Sequence, residues 1–265
     1  MKYAFDFTKI NSITKYPSIL TYHQLGQKGR LQEDRIDTSI FADDEVVNLY
    51  EKIDGENSRI IFLGDGEEVD YLIGSREDLL FAKGDRIGNP TGNIAKYFEP
   101  IAQEMSNKLK GLKGLLVTYF ESYGGKKTRK SKEYTIDHTQ YGRLFDLFFL
   151  DIDELEDLLK LPLDKIASWR DNGKQPFYDC DNRSEFVKLY GLPTSPLLKT
   201  IQGSEMPKTI DETNLWLQQF SETKVGINAT GKSEGVIARS KNRSKITKIR
   251  FEDYERTIKF LSRSK

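Results

Sequence analysis

The sequence predicts an α+β protein in which antiparallel sheets are flanked by helices. Three observations carry this reading. Short apolar β-type runs, punctuated by Gly and Asp, start at residue 46 and recur up to 150. A helical periodicity interrupts them at Ile94, Tyr97, Phe98, Ile101, Met105 and Leu109. The pattern then turns helical over 151–222 and returns to strands afterwards.

In chain order, residues 1–45 are mixed, with Gly26 and Gly29 marking a loop, and read as an N-terminal extension. A strand is expected over 46–50. The runs 60–63 and 69–73 flank Gly64-Asp65-Gly66-Glu67-Glu68 and predict a hairpin. Gly111 suits the end of the helix that reaches Leu109. Strands are expected over 115–120, ending at Glu121, and over 144–150. Helical stretches near 153–160, 182–190 and 211–220 are separated by Pro and Gly; Asn182 with Glu185 has the spacing of a capping box, and Gly191 suits a helix stop. Residues 151–222 therefore read as a helical insertion packed on the sheet. Strands over 234–240 and 246–251, joined by a turn at 241–244, and an amphipathic helix over 253–261 complete one domain spanning 1–265.

Composition narrows the chemistry. Lys+Arg and Asp+Glu both total 41, so bulk charge advertises no nucleic acid and any such surface must come from local clustering. A single cysteine, Cys180, permits no internal disulfide, and two histidines, His23 and His138, speak against a zinc centre or a His-based triad. Any metal is then expected to be a hard cation held by carboxylate, phosphate and water. The N-terminus lacks a signal-type apolar region and no apolar run approaches membrane-spanning length, so a cytoplasmic protein without a membrane partner is expected.

The run Glu51-Lys52-Ile53-Asp54-Gly55-Glu56-Asn57 sets a lysine two residues before an Asp-Gly turn, between apolar β-type runs. An amine that is fixed, partly desolvated and unprotonated can attack the α-phosphate of a nucleoside triphosphate, and nearby cations or a bound metal favour the neutral form. Alone, the K-x-D-G spacing is more commonly an ordinary hairpin with a solvated lysine; the longer string is much more specific. Glu234-Gly235 puts a carboxylate at the start of a strand beside a residue that permits close approach; alone, it is a charged strand cap. In Lys248-Ile249-Arg250, strand alternation turns both cations to one face and Ile249 and Phe251 to the core. Two fixed cations suit a triphosphate, although a lone K-x-R is more commonly a solvated face.

Taken in order, these motifs resemble those of the covalent nucleotidyltransferase superfamily of ATP-dependent ligases and RNA capping enzymes. The closest resemblance is to the phage-type RNA ligase 2 family, in which the lysine follows Glu and precedes Gly-x-Asn; the likeness runs from 46 to 251. It implies a nucleotidyltransferase (adenylyltransferase) domain that uses ATP with Mg²⁺ or Mn²⁺. It implies joining of RNA 5′-phosphate and 3′-hydroxyl ends, as in RNA repair, through a lysine–AMP intermediate and an adenylylated 5′ end, with DNA ends also open. By the same resemblance Lys52 becomes AMP-linked, and Glu51 reads the adenine amino group. Asn57 lies near ribose and phosphate, and Arg76, in Ile73-Gly74-Ser75-Arg76, holds ribose or phosphates. Glu121 contacts ribose and Phe145 stacks on adenine. Glu234 organises metal or lies by the phosphates, while Lys248 and Arg250 bind phosphate.

Three departures stand out: Asp54 where that family often has His, Arg250 where a second lysine is usual, and Ser-Tyr-Gly after Glu121. Fifteen residues follow Arg250, too few for the OB-fold of DNA ligases and capping enzymes, so a catalytic core with no C-terminal OB-fold is expected. A DNA nick ligase, a capping-type guanylyltransferase core and a non-catalytic nucleotide- or RNA-binding module stay open as alternatives. Two basic clusters, Lys126-Lys127-Thr128-Arg129-Lys130-Ser131-Lys132 and Arg239-Ser240-Lys241-Asn242-Arg243-Ser244-Lys245, are expected to favour a phosphate backbone, against a plain reading as solvated loops. The acidic run at 151–157 reads as a solvated helix start.

Overall fold

A computed structural model describes residues 6–37, 40–83, 85–86, 93–126 and 128–263. Its elements begin with α1 (Phe7–Thr14), β1 (His23–Leu25), β2 (Leu31–Ile36), β3 (Val46–Lys52), β4 (Glu56–Asp65), β5 (Val69–Ser75), β6 (Leu79–Ala82) and β7 (Asp85–Arg86). They continue with α2 (Ile94–Lys108), β8 (Lys113–Gly124), β9 (Gln140–Asp151), α3 (Ile152–Lys160), α4 (Leu163–Asp171) and α5 (Cys180–Tyr190). Last come β10 (Leu197–Gln202), α6 (Ile210–Leu217), β11 (Gly235–Ser240), β12 (Ile246–Arg250) and α7 (Phe251–Arg263). No helix among the described residues is long and apolar enough to cross a membrane.

Two compact units emerge. The first comprises Met1–Pro17, Gly55–Thr128 and Gln140–Thr194; the second comprises Ser18–Asp54, Arg129–Thr139 and Ser195–Lys265.

The first unit is built on a six-stranded antiparallel sheet ordered β7-β6-β5-β4-β8-β9. Its strands are apolar on both faces because both faces are covered. Ile60, Phe62, Ile73, Phe120 and Leu144 pack with Phe98 and Met105 of α2 and with Phe186 and Tyr190 of α5. On the other face Ile61, Leu63, Val117 and Phe148 pack with Ile10 and Ile13 of α1, Leu155 and Leu158 of α3, and Ile166 of α4. The short helix α1 is held by side chains at its C-terminal end, where the last carbonyls of a helix lack partners. Tyr119 donates to Thr14 O at 2.8 Å, and Gln175 Nε2 donates to Ile13 O and Lys15 O at 2.9 and 3.1 Å.

The second unit holds a four-stranded antiparallel sheet ordered β10-β3-β11-β12 and the small β1-β2 ribbon. One face of the larger sheet is core: Val47, Leu49, Val236, Ala238 and Ile249 pack with Ile210 and Leu217 of α6 and Phe251 and Tyr254 of α7. The free edge of β12 is taken by the chain at residues 20–22, where Lys248 N donates to Leu20 O and Tyr22 N to Lys248 O, each at 3.0 Å.

Several expectations change. Residues 46–52 and 56–65 lie in different sheets, so the plain alternative of a hairpin at the Asp-Gly turn does not hold. The strand at 113–124 runs past Glu121, which sits within it. Residues 151–222 are not uniformly helical: β10 pairs with β3, and α4 was hidden by its Pro162 start and modest periodicity. Asn182 does not cap α5. Asp179 does, accepting from Asn182 N at 2.8 Å, and a capping box forms instead at Asp151 and Glu154. Gly191 closes α5 at φ 65°. The extension at 1–45 carries α1, β1 and β2 among its described residues.

Candidate active site

Register on the second unit's sheet assembles the lysine motif. Lys52, the last residue of β3, pairs with Gly235, which pairs with Arg250; two residues along, Tyr50 pairs with Ile237 and Ile237 with Lys248. Directly opposed residues share a face, so Lys52, Lys248 and Arg250 lie together, opposite the buried Leu49, Val236 and Ile249. Gly235 is obligatory here. Its φ is +154°, and a Cβ would come within 2.0 Å of Ile249 O.

The preceding residue, Glu234, is fixed on both sides by backbone: its N donates to Lys52 O and its O accepts from Phe251 N, each at 3.2 Å. Its carboxylate spans the rung. Oε2 accepts from Lys52 Nζ at 2.6 Å, and Oε1 lies 3.9 Å from Arg250 Nη1. Lys52 and Glu234 are largely withdrawn from water, with side chains 22% and 12% exposed. Arg250 Nε and Nη2 meet Asp253 Oδ2 and Oδ1 at 2.8 and 2.9 Å, a bidentate pair with a carboxylate that is 1% exposed. Burial alone would lower the Arg250 pKa; the hydrogen bonds and charge of Asp253, then the charges of Glu234 and Glu252, raise it above its ordinary value.

The turn after Lys52 is braced by a residue that the sequence did not single out. Asp54 N donates to the hydroxyl of Tyr134 at 2.8 Å, and the Tyr134 side chain is fully buried, which pushes its pKa up. Tyr134 O also accepts from Ile227 N at 2.8 Å, tying the same segment to the loop ahead of β11. Glu51, one residue before Lys52, points to the opposite face and is 2% exposed. Its carboxylate accepts from the Thr223 hydroxyl and, at 2.8 Å, from Lys224 N.

In the first unit, Asn57 of β4 pairs with Glu121 of β8, and Glu121 with Arg143 of β9. Ser58 pairs with Ser75, so Arg76 follows the end of the neighbouring strand. Register thus gathers Asn57, Glu121 and Arg76 at one end of this sheet. The buried Oδ1 of Asn57 has no hydrogen-bond partner among the described residues, an acceptor left open in an otherwise packed strand. Arg76 is exposed, with Nε 3.5 Å from Glu77 Oε1. Phe145 occupies a β-bulge and meets Tyr16 edge-on at 5.0 Å between ring centroids, beside Tyr119. Gly55 opens β4 where a Cβ would meet Ser122 O at 2.4 Å.

The basic clusters divide. Arg239 is 1% exposed and Lys245 Nζ bonds Glu45 Oε2 at 2.7 Å, so these two are withdrawn from the second cluster, while Lys241 in its turn is exposed. Burial on the sheet and an acid from residue 45, invisible to local spacing, account for the difference. In the first cluster Lys126, Arg129 and Lys132 are exposed, while Lys127 lies outside the described residues. Lys130 Nζ is 3.9 Å from Asp54 Oδ2.

Among the described residues no three His, Cys, Asp or Glu side chains form a metal cage. The carboxylate in contact with Lys52 is that of Glu234. That suits a hard cation which keeps water and takes phosphate oxygens, as Mg²⁺ does, and suits zinc poorly.

Comparison with known proteins bears on the fold and the family. The structures that match include the Naegleria gruberi RNA ligase as a point variant with ATP and Mn, at 14% identity and a TM-score of 0.53, covering 97% of this chain and 64% of that one. The same ligase with PPi matches at 15% identity and a TM-score of 0.52, covering 93% and 62%. A further variant with AMP and Mn matches at 16% identity and a TM-score of 0.51, covering 90% and 62%. This chain therefore spans less than two thirds of the length of those proteins. No curated protein sequence matches it. The sequence model of the family described as RNA ligase matches residues 45–260, most of the chain and every strand of the lysine-bearing sheet: the protein belongs to the RNA ligase family.

Proposed function

We propose that this protein is an ATP-dependent RNA ligase, with Lys52 as the amine that takes up adenylate. The observation that carries this reading is the rung Lys52–Gly235–Arg250, with Glu234 bonded to Lys52 Nζ at 2.6 Å. It supplies a fixed, half-buried amine beside one carboxylate and two cations, the equipment that attack on a phosphorus atom requires. Membership of the RNA ligase family supports the substrate class. Neighbours solved with ATP, AMP and PPi support the nucleotide. The string from Glu51 to Asn57 favours the phage-type RNA ligase 2 branch within the family.

In the proposed sequence the Lys52 lone pair attacks the α-phosphorus of ATP, the N–P bond forms, the α–β anhydride breaks and pyrophosphate leaves. The AMP then passes to an RNA 5′-phosphate, freeing Lys52 and leaving an adenylylated 5′ end. A 3′-hydroxyl attacks that end, AMP departs and the strands are joined. Lys248 offers a cation to developing phosphate charge on the face that carries Lys52. Glu234 would hold Mg²⁺ or Mn²⁺, whose chemistry when bound is to neutralise phosphate oxygens. We assign Asn57, Arg76 and Glu121 to the sugar and phosphates and Phe145 to the base. Because both its oxygens are engaged by Thr223 and Lys224, Glu51 acts at the adenine edge by fixing the 223–224 backbone. The exposed Lys126, Arg129 and Lys132 suit the RNA backbone. Residues 1–265 work as one nucleotidyltransferase domain, inside the cell, where RNA ends arise.

Incubation with α-labelled ATP or GTP, followed by a chase with 5′-phosphorylated RNA or nicked DNA, tests this. ATP alone should label the protein and RNA should discharge it. Labelling by GTP alone would make it a capping-type enzyme, discharge by DNA alone a DNA nick ligase, and no labelling with either nucleotide a binding module.

A further inference from the structure

Arg250 stands where the resembled motif has a second phosphate-binding lysine, yet its planar fork is already committed. Nε and Nη2, one whole edge of the guanidinium, are bound bidentately by Asp253 at 2.8 and 2.9 Å. The remaining nitrogen, Nη1, lies 3.9 Å from Glu234 Oε1. The other oxygen of Glu234 holds Lys52 Nζ. A chain of alternating charge therefore runs Lys52, Glu234, Arg250, Asp253.

Asp253 is itself well anchored. It lies in the first turn of α7, where an acid complements the helix dipole, and its main-chain oxygen accepts from Thr257 Oγ1 at 2.8 Å. Its side chain is 1% exposed and receives a second cation, Arg256 Nη2, at 3.7 Å from Oδ1. A carboxylate buried this deeply is sustained only by such pairing. A lysine at 250 could not play the same part, since a single ammonium nitrogen cannot bind one carboxylate bidentately through two nitrogens while a third nitrogen is left toward a second acid.

We propose that Asp253 is a positioning residue. By binding the Nε–Nη2 edge it keeps Arg250 off the phosphates and turned toward Glu234, so that Glu234 stays on Lys52. This rests on the reading of Lys52 as nucleophile, and it changes the part of Arg250 from phosphate ligand to orienting group. It also accounts for the departure from lysine at this position: the Arg comes with an acid three residues later.

The test uses the full chain as wild type, Asp253→Asn, and the double variant Arg250→Gln with Asp253→Asn, which leaves a neutral hydrogen-bonding pair. Single-turnover labelling is followed against ATP concentration, with thermal melts alongside. Asp253→Asn should cut the maximal labelling rate by at least about tenfold, the loss expected for a charged hydrogen bond, with half-saturation by ATP within about twofold of wild type. The double variant should regain the melting temperature without regaining the rate. A wild-type maximal rate in Asp253→Asn, a loss confined to ATP half-saturation, or recovery of rate together with melting temperature would each overturn the proposal.

A second readout does not depend on catalysis. The rate at which an amine-directed acylating reagent modifies Lys52, read by peptide mass, should rise several-fold in Asp253→Asn as Glu234 releases it, and an unchanged rate would refute the proposal. Absence of labelling in the wild type would instead defeat the nucleophile reading and leave this second readout to decide the positioning role.

Discussion

At the scale of single residues, the Asp-Gly turn beside Lys52 depends on a phenol from elsewhere in the sequence. Tyr134 accepts the Asp54 N–H from a fully buried position, and nothing at residues 129–139 advertises that role. An isolated Tyr beside a lysine-rich stretch has no periodicity and no motif. Tyr134→Phe removes one acceptor and leaves a half-buried amide unpaired. It is expected to slow self-labelling by about tenfold, equivalent to about 1.4 kcal/mol, as measured by single-turnover labelling. A rate equal to wild type would mean that the turn holds Lys52 without it. The meeting of Lys52, Lys248 and Arg250 was legible because strand alternation brings them to one face, whereas Glu234, just ahead of β11, was legible from motif order and meets Lys52 through its side chain. Asp253 and Tyr134 were not, because their significance lies in what they touch. Glu51 was legible as a conspicuous acid next to the lysine, but alternation turns it to the core face, where Thr223 and Lys224 take both its oxygens.

At the scale of elements, strands with clear apolar runs were readable, and those defined by pairing were not. β10 alternates weakly and exists because it pairs with β3, while α4 lacks a side-chain cap. The β1-β2 ribbon is stitched to α7 through His23. Its Nε2 faces Lys208 O at 3.0 Å, a pure acceptor, so that nitrogen carries the proton and Nδ1 accepts from Tyr254 Oη at 2.8 Å. Burial lowers the pKa of this imidazole, although the Lys208 carbonyl and Glu33 pull the other way.

The sign of the pH effect follows. Near neutral pH both folded and unfolded states hold His23 neutral. As pH falls below the unfolded value of about 6.5, only the unfolded chain takes up the proton, and stability falls until the lower folded pKa is passed, with a slope of at most about 1.4 kcal/mol per pH unit. Thermal melts between pH 7.5 and pH 5 should therefore decline more steeply in the wild type than in His23→Gln. Parallel declines would contradict this assignment.

At the scale of the whole molecule, the chain alternates between two compact units. The segment Arg129–Thr139 belongs to the second unit although the stretches on either side of it belong to the first. The sequence showed the strands with clear apolar runs, the helix that became α2 and the order of the motifs. It did not show that Lys52 and Asn57, five residues apart, end up in different sheets, since no local pattern reports where a chain leaves one core for another. Register does the assembling in each unit, setting Lys52 against Gly235 and Asn57 against Glu121 across strands that are remote in sequence.

The central claim, that Lys52 is the residue which takes up AMP, is tested most directly by peptide mapping of the full chain after incubation with ATP and Mg²⁺. The account predicts a single adenylate on the peptide containing Lys52, absent from Lys52→Ala. An adenylate on another lysine, or no adduct on the wild type, would contradict it.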